Sequence, residues 1–197
     1  MTETAEETSP DILVTAEMGS TEGVLAVGAL RFPCALGRAG LVQDKREGDG
    51  GTPLGRFPLR ELRYRQDRLS APETRLPLFP IAPSDGWCDA PEDEAYNRPV
   101  RLPYPASAEK MWRSDALYDL VTVLGHNDDP VVPGAGSAIF FHLAKEEDGC
   151  LMPTEGCVAL RLEDMLQVLA LCGPETAMEI EIHHAPHAER LFERPPR

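Results

Sequence analysis

Cys157 follows Gly156 in the run Pro153-Thr154-Glu155-Gly156-Cys157-Val158-Ala159-Leu160, and His142 stands 15 residues upstream inside Phe140-Phe141-His142-Leu143. A cysteine attacks a carbonyl carbon as the thiolate, and an imidazole within reach supplies the base that makes it. The attack also needs donors for the oxyanion that develops. Backbone amides of a turn can serve, and a glycine just before the cysteine lets a substrate approach them. The residues after Cys157 lead into a helical pattern, which puts the thiol on a bend, and the spacing back to His142 is enough for a strand, a loop and a return. Spacing alone favours the plainer reading, an inert buried thiol near a hydrogen-bonding histidine.

Other residues could also carry chemistry. His126, in Gly125-His126-Asn127-Asp128-Asp129, sits either in a plain turn or at a cleft rim where it touches substrate. Lys45 and Arg46 could meet a substrate carboxylate, although a solvated loop charge is the default. His183, His184 and His187 lie close together. They lack regular zinc spacing, and neighbours on a strand face opposite ways, so a solvated strand end is expected and no metal. Five cysteines without a CxxC pair cannot all be paired within the chain. Cys34, Cys88, Cys150 and Cys172 are expected to be buried thiols, with Cys88 the most exposed of them.

The elements that must position these residues are mostly strands. Ile12 to Val14 and Val24 to Leu30 are strand-like with a turn at Gly19 to Gly23, and Phe57 to Tyr64 makes a further candidate. Tyr118 to Gly125, Ser137 to Ala144 and Ala177 to His183 are β-rich. Between the last two, Leu162, Met165, Leu166, Leu169 and Ala170 share one helical face, which predicts a helix over 161–172 stopped by Gly173-Pro174. Residues 67–113 are proline-dense and irregular, an insert of the kind that forms lids. The expected organisation is a disordered acidic tail at 1–10, one mainly β domain over 11–184 and a loose tail at 185–197.

The composition removes several classes of function. A chain of 197 residues is one ordinary domain. Its 33 acidic against 19 basic residues give a net charge of -14, which disfavours nucleic acid and anionic membrane surfaces as partners. No apolar run approaches the ~20 residues of a membrane span. The stretch Met1 to Asp11 shows neither a basic start nor an apolar core, so no secretory signal is expected from it.

His142, a 14-residue spacer and Thr154-x-Gly156-Cys157 resemble the His…[Ser/Thr]-x-Gly-Cys signature of the L,D-transpeptidase catalytic domain, the YkuD-type family. The segment Gly50-Gly51-Thr52-Pro53-Leu54-Gly55, at the end of the glycine-rich run from Lys45, is similar to that family's Gly-x-Thr-Pro-x-Gly pattern. The order of the two motifs also matches, and the similarity extends over about 12–183.

The resemblance implies a mainly β sandwich or barrel and a cysteine acyl-transferase without cofactor, acting on peptidoglycan stem peptides as donor and acceptor. It implies Cys157 as nucleophile, His142 as general base, and Gly156 and Cys157 amides at the oxyanion, with Thr154 and His126 as substrate-side residues. Many relatives carry His where this chain has Glu155, and Arg or Asn where it has Ala159. The missing basic groups leave cross-linking, hydrolysis by an L,D-carboxypeptidase or amidase, and a non-catalytic wall-binding module as alternatives. A depressed Cys157 pKa would favour catalysis and an inert buried thiol a binding module. The substrate class implies the periplasm or cell envelope.

Overall fold

A computed structural model describes residues 9–183. The tails expected at 1–10 and 185–197, with His184 and His187, fall outside the described residues, apart from Ser9 and Pro10. In chain order the elements are β1 (Ile12–Ala16), β2 (Glu22–Val27), β3 (Leu30–Ala35), β4 (Leu41–Val42), β5 (Thr52–Pro53) and β6 (Gly55–Tyr64). Then come β7 (Leu78–Pro80), β8 (Asp85–Cys88), β9 (Pro99–Arg101), β10 (Ala108–Lys110), β11 (Leu120–Leu124) and β12 (Phe140–Leu143). The chain continues through β13 (Glu146–Glu147), β14 (Cys150–Leu151), β15 (Val158–Leu160), the helix α1 (Leu162–Leu169) and β16 (Ala177–Ile182).

Nine strands form one sheet in the order β11-β12-β15-β3-β2-β1-β16-β6-β7, and β11 pairs back onto β6 to close it. The mainly β fold with one helix is therefore as expected. Period-two patterning explains the closure: Ile12, Val14, Leu25, Leu62, Phe141, Val158, Leu160, Met178 and Ile180 all point into one shared core. On α1, Met165, Val168 and Leu169 pack into that core, while Glu163 and Asp164 sit in its first turn, where the helix dipole favours acids. The helix ends at Leu169, three residues before the expected 172, and Ala170 to Cys172 complete the stop with turn hydrogen bonds.

The insert differs from its irregular expectation. It carries β7 on the edge of the main sheet and a separate three-stranded sheet, β10-β8-β9. These strands are three or four residues long, too short to show alternation, and all four residues of β8 are buried. At the neck of the insert, Arg65 is 3% exposed, pairs with Asp67 and donates to the Arg113 carbonyl at 2.7 Å, with its guanidinium 3.5 Å from the Trp112 ring centroid. Arg68 joins Asp119 and the carbonyls of Asp115 and Ser114. The insert is thus tied to the barrel at both ends.

Candidate active site

Successive side chains of β12 face opposite ways. Phe141 and Leu143 enter the barrel core, while Phe140 packs in a second cluster with Trp87, Met111, Tyr118, Val121, Val123 and Cys157. His142, two residues after Phe140, shares that outer face. The parallel neighbour β15 begins one residue after Cys157, with Phe141 opposite Val158 and His142 opposite Ala159. Adjacent strands therefore bring the thiol and the imidazole to the side of the sheet that the insert covers. Both line one cavity of about 440 Å³, with Lys45, Glu47, Asp89, Glu109, Arg113, Tyr118, Ser137, Thr154 and Glu155 also on its wall.

The bend that carries Cys157 is set by glycines. Gly156 has φ +136°, and a Cβ there would lie 2.8 Å from the Gly51 carbonyl oxygen. Gly37 would likewise meet the Gly50 oxygen at 2.3 Å and the Gly156 Cα at 3.0 Å. The Thr52 hydroxyl accepts the Gly37 amide at 2.8 Å, and the 36–38 backbone exchanges hydrogen bonds with Thr154. The glycine-rich loop at 50–52 and the 154–157 segment, far apart in sequence, are thus the two halves of one backbone junction.

His142 is 5% exposed, and its Nδ1 lies 2.8 Å from the Leu143 carbonyl. A carbonyl only accepts, so Nδ1 carries the hydrogen and Nε2 keeps a lone pair. The ring also meets Tyr118 edge-on at 5.2 Å. Burial drives the imidazole pKa down to about 4, with the Leu143 carbonyl and Asp115 acting against the shift. Cys157 is 7% exposed; its Sγ accepts the Phe140 amide at 3.3 Å and donates to the Ala138 carbonyl at 3.3 Å. Burial pushes the thiol up to about 12, and the Glu109 charge adds to that. The resting pair is therefore neutral thiol and neutral imidazole, and among the described residues no hydrogen bond joins them.

The remaining sequence candidates fall at different depths. The Thr154 hydroxyl donates to the Cys157 carbonyl at 2.7 Å and accepts the Gly156 amide at 3.1 Å, so it braces the bend and engages the Gly156 donor. His126 sits outside the cavity wall: its Nε2 lies 3.0 Å from the Ala135 carbonyl, its ring meets Phe57 edge-on at 5.4 Å, and burial lowers its pKa. Lys45, expected as a solvated charge, has its side chain 6% exposed on the cavity wall and pairs with Asp49 at 2.5 Å. Burial works against the Asp49 carboxylate, but Lys45 and the Gly51 and Arg46 amides outweigh it and hold its pKa below the usual range. Arg46 is exposed. Cys88, expected to be the exposed thiol, is fully buried in the centre of the insert sheet, and Cys150, on a two-stranded hairpin, is the exposed one. All five cysteines are free thiols. Among the described residues, which include His183, no group of three or more His, Cys, Asp or Glu could hold a metal ion.

Sequence reasoning missed Asn97 and Glu109. Asn97 is 4% exposed with φ +55°; its Oδ1 accepts Trp87 Nε1 at 2.9 Å and the Ala138 amide at 3.0 Å. Its Nδ2 donates to the His126 and Asn127 carbonyls at 3.0 and 2.8 Å. One side chain thus locks the insert to the loop whose Ala138 carbonyl holds the thiol. Glu109, on β10, accepts the Tyr118 hydroxyl at 2.5 Å, and burial raises its pKa.

The family model of the L,D-transpeptidase catalytic domain (YkuD) matches residues 23–182. No curated protein sequence matches the chain. Among solved structures, the helical cell shape determining protein Pgp2 from Campylobacter jejuni is 16% identical with a TM-score of 0.42, covering 90% of this chain and 49% of that one. An L,D-transpeptidase from Mycobacterium smegmatis is 11% identical with a TM-score of 0.43, covering 87% and 59%. The chain therefore spans between half and three fifths of these proteins' lengths. The family match takes in both the 51–55 glycine-rich segment and the His142–Cys157 pair, and the chain belongs to the L,D-transpeptidase catalytic domain family.

Proposed function

We propose that the chain is a cysteine acyl-transferase, an L,D-transpeptidase acting on peptidoglycan stem peptides, with Cys157 as nucleophile and His142 as base. The observation that carries this reading is the single cavity lined by both groups, with His142 Nδ1 tied to the Leu143 carbonyl so that Nε2 is left as the acceptor. With both groups neutral at rest, the thiol proton moves to Nε2 as sulfur attacks the donor carbonyl, rather than before binding. The oxyanion falls to the Cys157 amide and neighbouring donors, because the Gly156 amide already serves Thr154. His142 then protonates the departing amine and leaves a thioester. An acceptor amine resolves it into a cross-link, and no cofactor takes part. Such a substrate places the work at the cell envelope.

Burial of the thiol favours a second reading, a wall-binding module in which Cys157 is inert. Acylation by a carbapenem, followed by intact-protein mass spectrometry, separates the two. The wild type should gain one acyl adduct that Cys157→Ala lacks, and His142→Ala should acylate at least ~100-fold more slowly. An unmodified wild type, or equal labelling of Cys157→Ala, would reject the catalytic reading.

A further inference from the structure

His142 can act as a base only while its ring presents Nε2 to the thiol, and one hydrogen bond does not fix a ring. The Nδ1 bond runs to the carbonyl of the next residue, Leu143, and leaves the imidazole free to tilt about it. A second restraint comes from Tyr118, which is 5% exposed and stands two residues before β11. Its ring meets the imidazole at 5.2 Å and 72°, and meets Phe140 at 5.8 Å and 89°. Phe140 is in turn edge-on to Trp87 of the insert at 5.2 Å.

Tyr118 is itself held at two points. Its hydroxyl donates to Glu109 Oε1 at 2.5 Å, and the Arg113 guanidinium stands 5.1 Å from its ring centroid. Glu109 and Arg113 pair with each other at 3.8 Å, and Arg113 also pairs with Asp115 at 2.8 Å. Both holders belong to the insert, Glu109 on β10 opposite Trp87 and Arg113 at its last residue. Filling the apolar cluster needs only a ring, as Phe140 shows, whereas a buried phenol brings a hydroxyl that must find a partner. The partner here is a carboxylate carried by another element, so the hydroxyl fixes where the ring stands against His142. Glu109, Arg113, Tyr118, His142 and Cys157 all line the one cavity.

We propose that Tyr118 is a positioning residue, which sets the direction of the His142 imidazole toward Cys157 with its own ring held by Glu109 and Arg113. This rests on the acyl-transfer reading and deepens it. Tyr118 exchanges no proton. Burial, and then the Cys157 and Glu109 charges, keep the phenol pKa well above 10, so its hydrogen stays on the bond to Glu109 while the thiol proton passes to Nε2. The insert then does more than wall the cavity: through one hydroxyl it sets the geometry of the base. Displacing a reacting group by about 1 Å costs on the order of 100-fold in rate, so the restraint acts on the chemical step and not on binding.

Carbapenem acylation, resolved into initial affinity and acylation rate, tests the hydroxyl anchor in variants checked for a wild-type cooperative melt. Tyr118→Phe keeps the ring and loses the anchor; it should acylate about tenfold more slowly with its initial affinity unchanged. Glu109→Ala should lose as much, and Glu109→Gln, whose amide oxygen still accepts the hydroxyl, should recover most of that loss. Both Glu109 variants remove the same charge, so the difference between them reads the anchor alone. Equal rates for the two, or a folded Tyr118→Phe at the wild-type rate, would overturn the proposal. A second measurement needs no turnover. Nitrogen NMR of the His142 ring should show a single Nδ1–H tautomer in the wild type and mixed tautomers in Glu109→Ala, and one unchanged tautomer in both would also overturn it. Mixed tautomers in Glu109→Ala with no acyl-enzyme from the wild type would sink the transpeptidase reading and leave the Tyr118 restraint standing.

Discussion

With the Cys157 thiol at about 12, on the order of one molecule in 100,000 is thiolate at pH 7. The exposed Cys150 supplies an internal control for that state. Alkylation by iodoacetamide at pH 7, read by peptide mapping, should modify Cys150 well before Cys157, with the Cys157 rate climbing as pH rises beyond 9. Faster reaction at Cys157 would mean a preformed thiolate–imidazolium pair instead. On the other side of the dyad, the imidazole at about 4 stays a competent base down to mildly acidic pH. The acid limb of kcat/KM should therefore fall near pH 4 rather than near 6.5. A substitution at the bend is equally specific: Gly156→Ala puts a methyl against the Gly51 oxygen at positive φ and should abolish acylation.

Among the elements, the insert positions the site through Asn97. Asn97→Ala strands the buried Trp87 Nε1 and Ala138 amide donors and should cost about 2–4 kcal/mol in urea denaturation. Acylation should fall more than stability explains, because Ala138 loses its anchor; a folded Asn97→Ala with wild-type acylation would deny the positioning role. None of this was legible in the sequence. Asn97 acts on residues 10 to 41 positions away, and its surroundings are strands too short to carry a period. What was legible had local causes: apolar, β-rich runs marked β1, β6, β11 and β12, alternation marked β16, the 3.6-residue period marked α1, and the His142…Thr154-x-Gly156-Cys157 spacing singled out the two candidate groups. Lys45 and Cys88 read as exposed because charge and loop context predict exposure, whereas here a paired carboxylate and a miniature sheet bury them.

For the whole molecule, the buried groups make stability depend on pH. His142 is held neutral in the folded state, so the unfolded chain binds its proton first as pH falls below about 6.5, and folding loses on the order of 2–3 kcal/mol by pH 4. Asp11 and Asp115 have depressed pKa values, through Arg56 and Arg113 respectively; their contribution is present above about 3.9 and is lost as pH falls below it. The urea midpoint should therefore slide in two stages, with His142→Gln flattening only the first. A midpoint constant from pH 7 to 4 would contradict a buried neutral imidazole. The central claim is tested most directly by mass spectrometry of products formed from purified disaccharide tetrapeptide muropeptides, with Cys157→Ala beside the wild type. Cross-linked dimers made by the wild type and absent from the variant are the predicted result. Muropeptides left unchanged by a folded wild-type protein would contradict it.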